Sequence, residues 1–169
     1  MNSTVLIVLV VVVVLGLFIL AIWLAYHQKK VLDEKISNLA NNVSELTPAE
    51  FFQLRNTSFG GRGSPLYVNT KNFEGVYILF NKTKNMYYVG QAKKIFDRVN
   101  NHFTGKGNGD VYADYKYGDE FTIKMISLEN SGYYSLNDLE RDVIAKYNAY
   151  SKGYNKTRGN SRWCRCKLG

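Results

Sequence analysis

Cysteine and proline are both scarce in this chain of 169 residues, which contains two of each. The two cysteines, Cys164 and Cys166, lie one residue apart in the C-terminal tail. They are too few for the disulfide framework that stabilises many small secreted domains. They could supply half of a tetrahedral zinc site, but two further ligands would be needed. The sequence therefore favours two reduced thiols without a structural role.

Charged side chains are missing from the first 26 residues. Between Val5 and Tyr26 the side chains are almost all Val, Leu, Ile, Phe, Ala or Trp. As a helix, this run would span roughly 33 Å at about 1.5 Å per residue, enough to cross a hydrocarbon core of about 30 Å. The sequence therefore predicts a short N-terminal tail over residues 1–4 and one transmembrane helix over residues 5–26.

A cleaved signal peptide is the competing interpretation of this apolar run. It would require a basic residue before the run, and Met1 to Thr4 contain no Lys or Arg. It would also require an apolar region of only about 7 to 15 residues and a small-residue cleavage site, and the sequence has neither. An uncleaved single-pass anchor is therefore favoured. Because Lys29, Lys30 and Lys35 follow the run, the positive-inside rule predicts that the rest of the chain is cytoplasmic.

All 22 basic and 14 acidic residues lie after Tyr26, so the polar part of the chain carries the whole net charge of +8. This balance favours nucleic acid as a partner over a surface of anionic lipid head groups. The basic tail, residues 156–169, could bind such a substrate with Trp163 stacked on a base, could contact anionic lipid, or could be a solvated tail without a specific partner. The basic residues expected to contact the substrate are Lys93, Lys94, Lys106, Lys156, Arg158, Arg162, Arg165 and Lys167.

Residues 27–70 are expected to form a stalk and linker with short helices. The segment Val31–Val43 has a weak helical pattern of apolar residues. The segment Thr47–Glu50 has the arrangement of a capping box with proline at the first helical position, which predicts a short helix. The density of glycine and proline over Ser58–Pro65 predicts a linker or a flexible loop.

A β-hairpin is predicted by two runs of β-branched and aromatic residues, Val76–Phe80 and Met86–Val89. A loop over residues 81–84 would place Tyr77 opposite Tyr88, with both side chains on one face of the sheet. A register slip of one residue would separate the two phenols. Two tyrosines on a strand face are also common in ordinary packing.

A helix over Lys93–Phe103 is predicted from apolar residues at helical spacing. Lys94, Arg98 and His102 form a second stripe on it, at positions i, i+4 and i+8. Such a cationic stripe is also typical of a solvated helix face. A glycine-rich loop, Gly105–Gly109, follows the helix.

A third strand and a last helix complete the predicted domain. The alternation of apolar residues predicts the strand over Glu120–Leu128. Ser135 is expected to cap the helix, which continues to about Tyr150. Glu140 borders the apolar face of this helix, where a carboxylate needs a partner charge or a metal ion. An ordinary solvated glutamate beside Arg141 is the alternative.

In their order and spacing, these residues resemble the GIY-YIG nuclease family. The matching elements are Gly75-Val76-Tyr77, Tyr88-Val89-Gly90, Arg98, His102, Leu139–Ile144 around Glu140, and Gly153-Tyr154-Asn155. The resemblance covers Gly75 to Asn155. It implies an α+β fold with a small three-stranded antiparallel sheet flanked by helices, in a nuclease domain that we place at residues 71–155.

The resemblance also implies roles for individual residues. Those expected in the site are Tyr77, Tyr88, Arg98, His102 and Glu140 as catalytic groups and Gly90, Lys94 and Asn155 as substrate-binding groups. Tyr77 is the candidate that deprotonates the attacking water, and Tyr88 would orient that water or share the role. His102 would assist proton transfer or contact phosphate. Asn155 would fix the local backbone geometry.

Metal binding and phosphate recognition fall to a carboxylate and a guanidinium. Glu140 would hold one divalent ion, Mg²⁺ or Mn²⁺, because hard cations prefer oxygen ligands. Arg98 would pair with the scissile phosphate through its fork of donors. Repair nucleases of the resembled family often carry a lysine at the position of Gln91, so less positive charge is expected near the phosphate here. No small-molecule cofactor is expected.

The sequence thus predicts a membrane-anchored, metal-dependent endonuclease that hydrolyses phosphodiester bonds. DNA is favoured over RNA because members of the resembled family mostly cut DNA, and a nuclease at the inner face of a membrane would meet incoming foreign DNA. Site-specific homing is disfavoured, since only a short tail follows Asn155. The alternatives are a catalytically idle, membrane-tethered module that binds nucleic acid and a membrane adaptor with a degenerate nuclease fold.

Overall fold

The computed structural model describes residues 2–58 and 65–159, apart from the side chain of Val5. By its internal contacts the chain divides into two units, Met1–Ser37 and Asn38–Gly169. Most of the predicted linker and most of the basic tail lie outside the described residues. The tail residues concerned are Arg162, Trp163, Cys164, Arg165, Cys166 and Lys167.

Helix α1 (Ser3–Asn41) makes up the first unit as far as Ser37, and its last residues belong to the second unit. Its segment Leu6–Asn41 is long and apolar enough to cross a membrane, and the most apolar part of that segment is not buried at all. The helix extends past the predicted span and into the predicted stalk. No glycine or proline occurs between residues 17 and 41, so no residue there strongly disfavours the helix.

The second unit contains a three-stranded sheet and five short helices within its described residues. Their bounds are α2 (Pro48–Asn56), α3 (Tyr67–Lys71), β1 (Gly75–Asn81), β2 (Met86–Ala92), α4 (Ile95–Phe103), α5 (Gly109–Lys116), β3 (Phe121–Ser127) and α6 (Leu136–Lys146). The strand order is β2-β1-β3, and both pairings are antiparallel. The predicted α+β class and the three-stranded antiparallel sheet are confirmed.

Different helices cover the two faces of the sheet. Tyr77 and Leu79 belong to one buried cluster with residues of α2, α4 and α5. Val76 and Ile78 alternate with them along β1 and therefore point to the other face. That face packs against α6, which contacts both β1 and β2. Strand β2 is an edge strand with helices on both of its faces, so groups on α4 and α6 flank the same edge.

The hairpin register differs from the predicted one by two residues. Tyr77 pairs with Gly90, and Tyr88 pairs with Leu79. The turn lies at residues 82–85 because Asn81 stays in the strand: it is fully buried, and its side-chain oxygen accepts a hydrogen bond from the Lys84 N–H at 3.0 Å. The prediction that Tyr77 lies opposite Tyr88 is wrong. The shift is even, however, so both phenols remain on one face as predicted.

Two helix starts illustrate local capping. The predicted capping box of α2 is confirmed, since the Thr47 N–H donates to Glu50 Oε2 at 2.7 Å and the Glu50 N–H donates to Thr47 Oγ1 at 3.3 Å. The predicted loop over Gly105–Gly109 agrees with the structure up to Asn108, and helix α5, which follows it, was not predicted. Asn108 caps α5 by accepting from the N–H groups of Asp110 and Val111.

The ends of α4 and α6 also differ from the predicted ones. Helix α4 begins at Ile95, two residues later than expected. Ser135 occupies the N-cap position of α6, but its side chain makes no capping hydrogen bond. Helix α6 ends at Lys146 and not near Tyr150, because Asn148 adopts a left-handed conformation with φ of 52°.

Candidate active site

Tyr77 and Tyr88 begin the site on the face of the sheet that α4 covers. Their ring centroids lie 6.1 Å apart. Gly90, opposite Tyr77 on β2, leaves the space that the phenol occupies, because a Cβ at this position would lie 2.2 Å from Tyr77 Oη. The glycine of the second motif therefore determines where the tyrosine of the first motif can sit.

His102 is fully buried beside the two phenols, with its Nε2 2.8 Å from Tyr77 Oη. Its Nδ1 accepts a hydrogen bond from the Asn108 N–H at 2.9 Å. An acceptor nitrogen carries no proton, so in the neutral ring the proton is on Nε2 and is donated to Tyr77 Oη. Gly107 permits this arrangement, since a Cβ there would lie 2.5 Å from His102 Nδ1.

The protonation of this cluster follows from its burial. Burial, and then the charge of Arg98, lower the pKa of His102 to about 4, so the ring is neutral at pH 7. Burial, and then Tyr88, raise the pKa of Tyr77, while Arg98 acts in the opposite direction. The free protein therefore holds Tyr77 as a neutral phenol.

Arg98 is an exposed residue of α4 that reaches the two phenols. Partial burial lowers the pKa of its guanidinium, but the oxygens of Tyr77 and Tyr88 more than offset this, and the pKa is raised overall. The group is always charged. Lys94 lies one turn earlier, exposed at the N-cap position of α4.

Glu140 lies on the other side of β2, on helix α6. Its half-buried carboxylate accepts a hydrogen bond from Gln91 Nε2 at 2.9 Å, and the same nitrogen donates to Asn137 Oδ1 at 2.6 Å. Burial raises the pKa of Glu140, and the hydrogen bonds from Gln91 oppose the rise. Gln91 follows Gly90 along the strand and so points to the opposite face from Tyr88.

Asn155 holds the chain that follows α6 against the edge of β2. Its Oδ1 accepts from the Val89 N–H at 2.9 Å, and its Nδ2 donates to the Val89 carbonyl at 2.7 Å. The neighbouring Tyr154 N–H donates to the Tyr87 carbonyl at 2.9 Å. At Gly153 a Cβ would lie 2.2 Å from that same carbonyl oxygen. This segment, Gly153–Asn155, which we call the Asn155 strap, can therefore lie close to β2 only without a side chain at Gly153.

The structure thus brings Tyr77, Tyr88, Arg98 and His102 into one contact cluster and positions Glu140 across the edge strand. The sequence did not indicate three residues of this arrangement, Asn137, Gly107 and Asn108, as members of the site, and it indicated Gln91 only as a neutral residue near the phosphate. The cap signature Asn-Gly-Asp could have identified Asn108. Over residues 2–58 and 65–159 the structure contains no group of three or more His, Cys, Asp or Glu residues that could hold a metal ion.

Two basic residues of the predicted tail are described. Lys156 forms an ion pair with Asp110 at 2.7 Å, and both side chains are largely exposed. The Arg158 guanidinium lies 5.3 Å from the centroid of the Tyr150 ring. These contacts bring the start of the tail near α5 and the end of α6.

Residues 73–155 match the family model of the GIY-YIG catalytic domain. No curated protein matches the chain. A solved structure of the catalytic domain of the intron endonuclease I-TevI, in a point-mutant form, has a TM-score of 0.40 and 24% sequence identity, and the alignment covers 52% of this chain and 96% of that chain.

Proposed function

Residues 73–155 are a GIY-YIG catalytic domain, the nuclease part of this chain, and from this premise we propose a metal-dependent endonuclease that hydrolyses phosphodiester bonds in DNA. The observation that carries the proposal is the hydrogen-bonded cluster beneath an exposed arginine. The pair of Tyr77 and His102, joined at 2.8 Å, provides an ionisable oxygen with a fixed donor beside it. Arg98 adds a permanent positive charge at the same place.

Arg98 is proposed to bind the scissile phosphate. Its guanidinium is exposed on α4 while its charge reaches the two phenols. A guanidinium offers parallel N–H donors that match two phosphate oxygens. A phosphate bound there would bring its phosphorus close to the phenol oxygens. Lys94, exposed one turn away, would extend the contact along the DNA backbone.

Tyr77 is proposed to act as the base that takes a proton from the attacking water. It must first lose its own proton to solvent water, and the Nε2–H of His102 together with the charge of Arg98 would stabilise the resulting phenolate. His102 acts as a donor in this scheme, because its Nδ1 lone pair is already used by the Asn108 N–H. Tyr88, whose ring centroid lies 4.8 Å from that of His102, would orient the water.

Glu140 is proposed to hold a divalent ion, Mg²⁺ or Mn²⁺. The donor chemistry fits such an ion, since a half-buried carboxylate lies next to the amide oxygen of Asn137, with Gln91 Nε2 between them. A bound ion would supply charge stabilisation for the phosphate and the leaving oxygen. Gln91 holds the Glu140 carboxylate in position at the edge of β2.

Helix α1 is proposed to anchor the protein in a membrane as a single-pass segment. Support comes from the length and apolar composition of Leu6–Asn41. The three lysines that follow the apolar run favour a cytoplasmic nuclease domain, since cytoplasmic flanks are enriched in Lys and Arg. At that position the enzyme would meet DNA that enters the cell, so we propose that it acts on incoming foreign DNA.

Cleavage by the full chain in detergent micelles tests the proposal. Supercoiled, linear and single-stranded DNA are incubated with Mg²⁺, Mn²⁺ or EDTA, beside a Glu140→Ala variant prepared in the same way. We expect metal-dependent cleavage that EDTA and the variant both abolish. Cleavage that the variant retains would disprove the proposed site, and DNA binding without any cleavage would favour the catalytically idle module.

A further inference from the structure

The Gln91 amide lies between two oxygens of helix α6. Its Nε2 is 2.6 Å from Asn137 Oδ1 and 2.9 Å from Glu140 Oε2. Asn137 and Glu140 are three residues apart on one helix, so their side chains extend from the same face. Both oxygens converge on Gln91 at the edge of β2, on the face opposite Tyr88.

This arrangement is unusual for a carboxylate that is half withdrawn from water. Such a group is normally neutralised by a cation. Here, within the described residues, the hydrogen bonds to the Glu140 carboxylate come from the neutral side-chain amide and the backbone of Gln91. The amide nitrogen therefore occupies the position between two hard oxygens where a small cation would be most strongly attracted.

A glutamine can serve this position both with and without an ion. Its terminal group carries donors on one side and an acceptor oxygen on the other. Rotation of that group by half a turn would replace Nε2 with Oε1, and three oxygens would then face one point. Mg²⁺ and Mn²⁺ prefer oxygen ligands and keep several waters, so a single carboxylate with two carbonyl oxygens suits them.

We propose that Asn137 Oδ1 and Gln91 Oε1 are ligands, together with the Glu140 carboxylate, of one divalent ion at the junction of β2 and α6. This deepens the proposed function and rests on it, because it assigns two further residues to the ion that Glu140 holds. In the free protein, Gln91 Nε2 takes the place of the ion and keeps the two α6 oxygens converged.

The competing interpretation is purely structural, with Gln91 and Asn137 tying β2 to α6. The two interpretations differ in a quantity other than activity, the affinity for Mn²⁺ itself. Bound Mn²⁺ loses the sharp electron paramagnetic resonance signal of the hydrated ion, so a titration of the full chain in detergent micelles measures binding directly. Circular dichroism spectra and melting curves of every variant report folding separately.

Asn137→Leu and Gln91→Leu each remove one oxygen at similar volume, and we expect Mn²⁺ affinity to fall on the order of 10- to 100-fold in each, as for other groups that support a metal site. Asn137→Asp adds charge to a ligand and should tighten binding. The double variant Asn137→Asp with Asp138→Asn keeps the net charge of the wild type. If it also binds Mn²⁺ more tightly than the wild type, the gain in affinity comes from the carboxylate at position 137 and not from the net charge. Glu140→Gln should abolish binding.

Three results would overturn the inference. Unchanged Mn²⁺ affinity in folded Asn137 and Gln91 variants, with binding lost in Glu140→Gln, leaves the proposed function intact and makes the amide contacts structural. Tighter binding in Gln91→Leu makes Gln91 a competitor of the ion and not a ligand. The third result is a wild-type protein that cleaves DNA with Mn²⁺ but binds no Mn²⁺ when DNA is absent. It would reject the proposed set of three oxygen ligands, while the cleavage would still support the nuclease.

Discussion

At the scale of single residues, Gly90 has the clearest consequence for the site. Replacement by alanine would put a Cβ 2.2 Å from Tyr77 Oη, so the phenol or the strand must move. We expect Gly90→Ala to lose most DNA cleavage and about 1–3 kcal/mol of stability, the usual cost of overpacking. Gly109→Ala is the matched control, because a Cβ there meets no atom within 4 Å. Equal cleavage by both variants would show that the position of Tyr77 is not critical.

His102 gives the molecule a pH dependence with a definite sign. Its pKa is about 4 in the folded protein and ordinarily about 6.5, so between these values the unfolded chain binds more protons. The folded protein is therefore most stable, as far as His102 is concerned, above about pH 6.5. As the pH falls to about 4, the protonation of His102 in the unfolded chain lowers the free energy of unfolding by on the order of 3 kcal/mol.

Urea unfolding of the full chain at pH 7.5, 5.5 and 4.5 measures this loss. His102→Gln lacks the titrating imidazole. As the pH is lowered from 7.5 to 4.5, we therefore expect the free energy of unfolding of this variant to decrease less than that of the wild type. Carboxylates that titrate in the same range contribute to both proteins and cancel in the difference. Parallel pH profiles for the two proteins would contradict a buried neutral imidazole.

At the scale of structural elements, the Asn155 strap closes the free edge of β2. Both ends of the Asn155 amide bond to the backbone of Val89, at 2.9 and 2.7 Å. Asn155→Asp keeps the shape but replaces the donor with an acceptor facing the Val89 carbonyl. We expect about 1–3 kcal/mol of lost stability, the cost of a buried polar group without its partner.

Thermal unfolding and Mn²⁺ titration of this variant separate positioning from catalysis. A strap that only positions β2 should leave Mn²⁺ affinity near normal in the folded protein while cleavage falls. Asn148→Asp is the control, because this exposed position has a φ of 52°, which aspartate tolerates, and receives the same charge. Equal melting temperatures for the two variants would contradict the role of the strap.

The elements that could be predicted from the sequence are those with a local signal. The capping box of α2 and the two apolar runs of the hairpin needed no tertiary information. Helix α5 (Gly109–Lys116) lies between the predicted loop and the third strand, where only the cap residue Asn108 gives a local signal. The hairpin register was missed because the buried hydrogen bonds of Asn81, to Asp119 and Tyr154, extend the strand.

The candidate site divides in the same way. Tyr77, Tyr88, Arg98 and His102 form one cluster as their motif spacing suggests, because strand alternation and helical spacing are local rules. The contacts of Gln91 with Asn137 and Glu140 depend on how α6 packs against β2, which the spacing of residues in the sequence does not reveal. The direction of the hydrogen bond from His102 depends on a backbone N–H six residues away, at Asn108.

At the scale of the whole molecule, the apolar part of α1 predicts where the protein is found. An inserted span of this length is held by its buried apolar area, which neither salt nor carbonate at high pH weakens, whereas a surface contact of basic residues is screened by salt. We therefore expect the intact chain in the membrane fraction after both washes. Leu15→Arg combined with Ile19→Arg places two charges in the span, each costing about 2.5–3.5 kcal/mol of insertion, and should shift the protein out of that fraction. The matched pair Leu15→Ile with Ile19→Leu should remain in it.

The orientation of the nuclease domain is a separate prediction. Protease added outside intact cells should spare residues 73–155 if the domain is cytoplasmic. Release of the wild type by salt would reject the anchor, and digestion of the domain from outside would reverse its orientation.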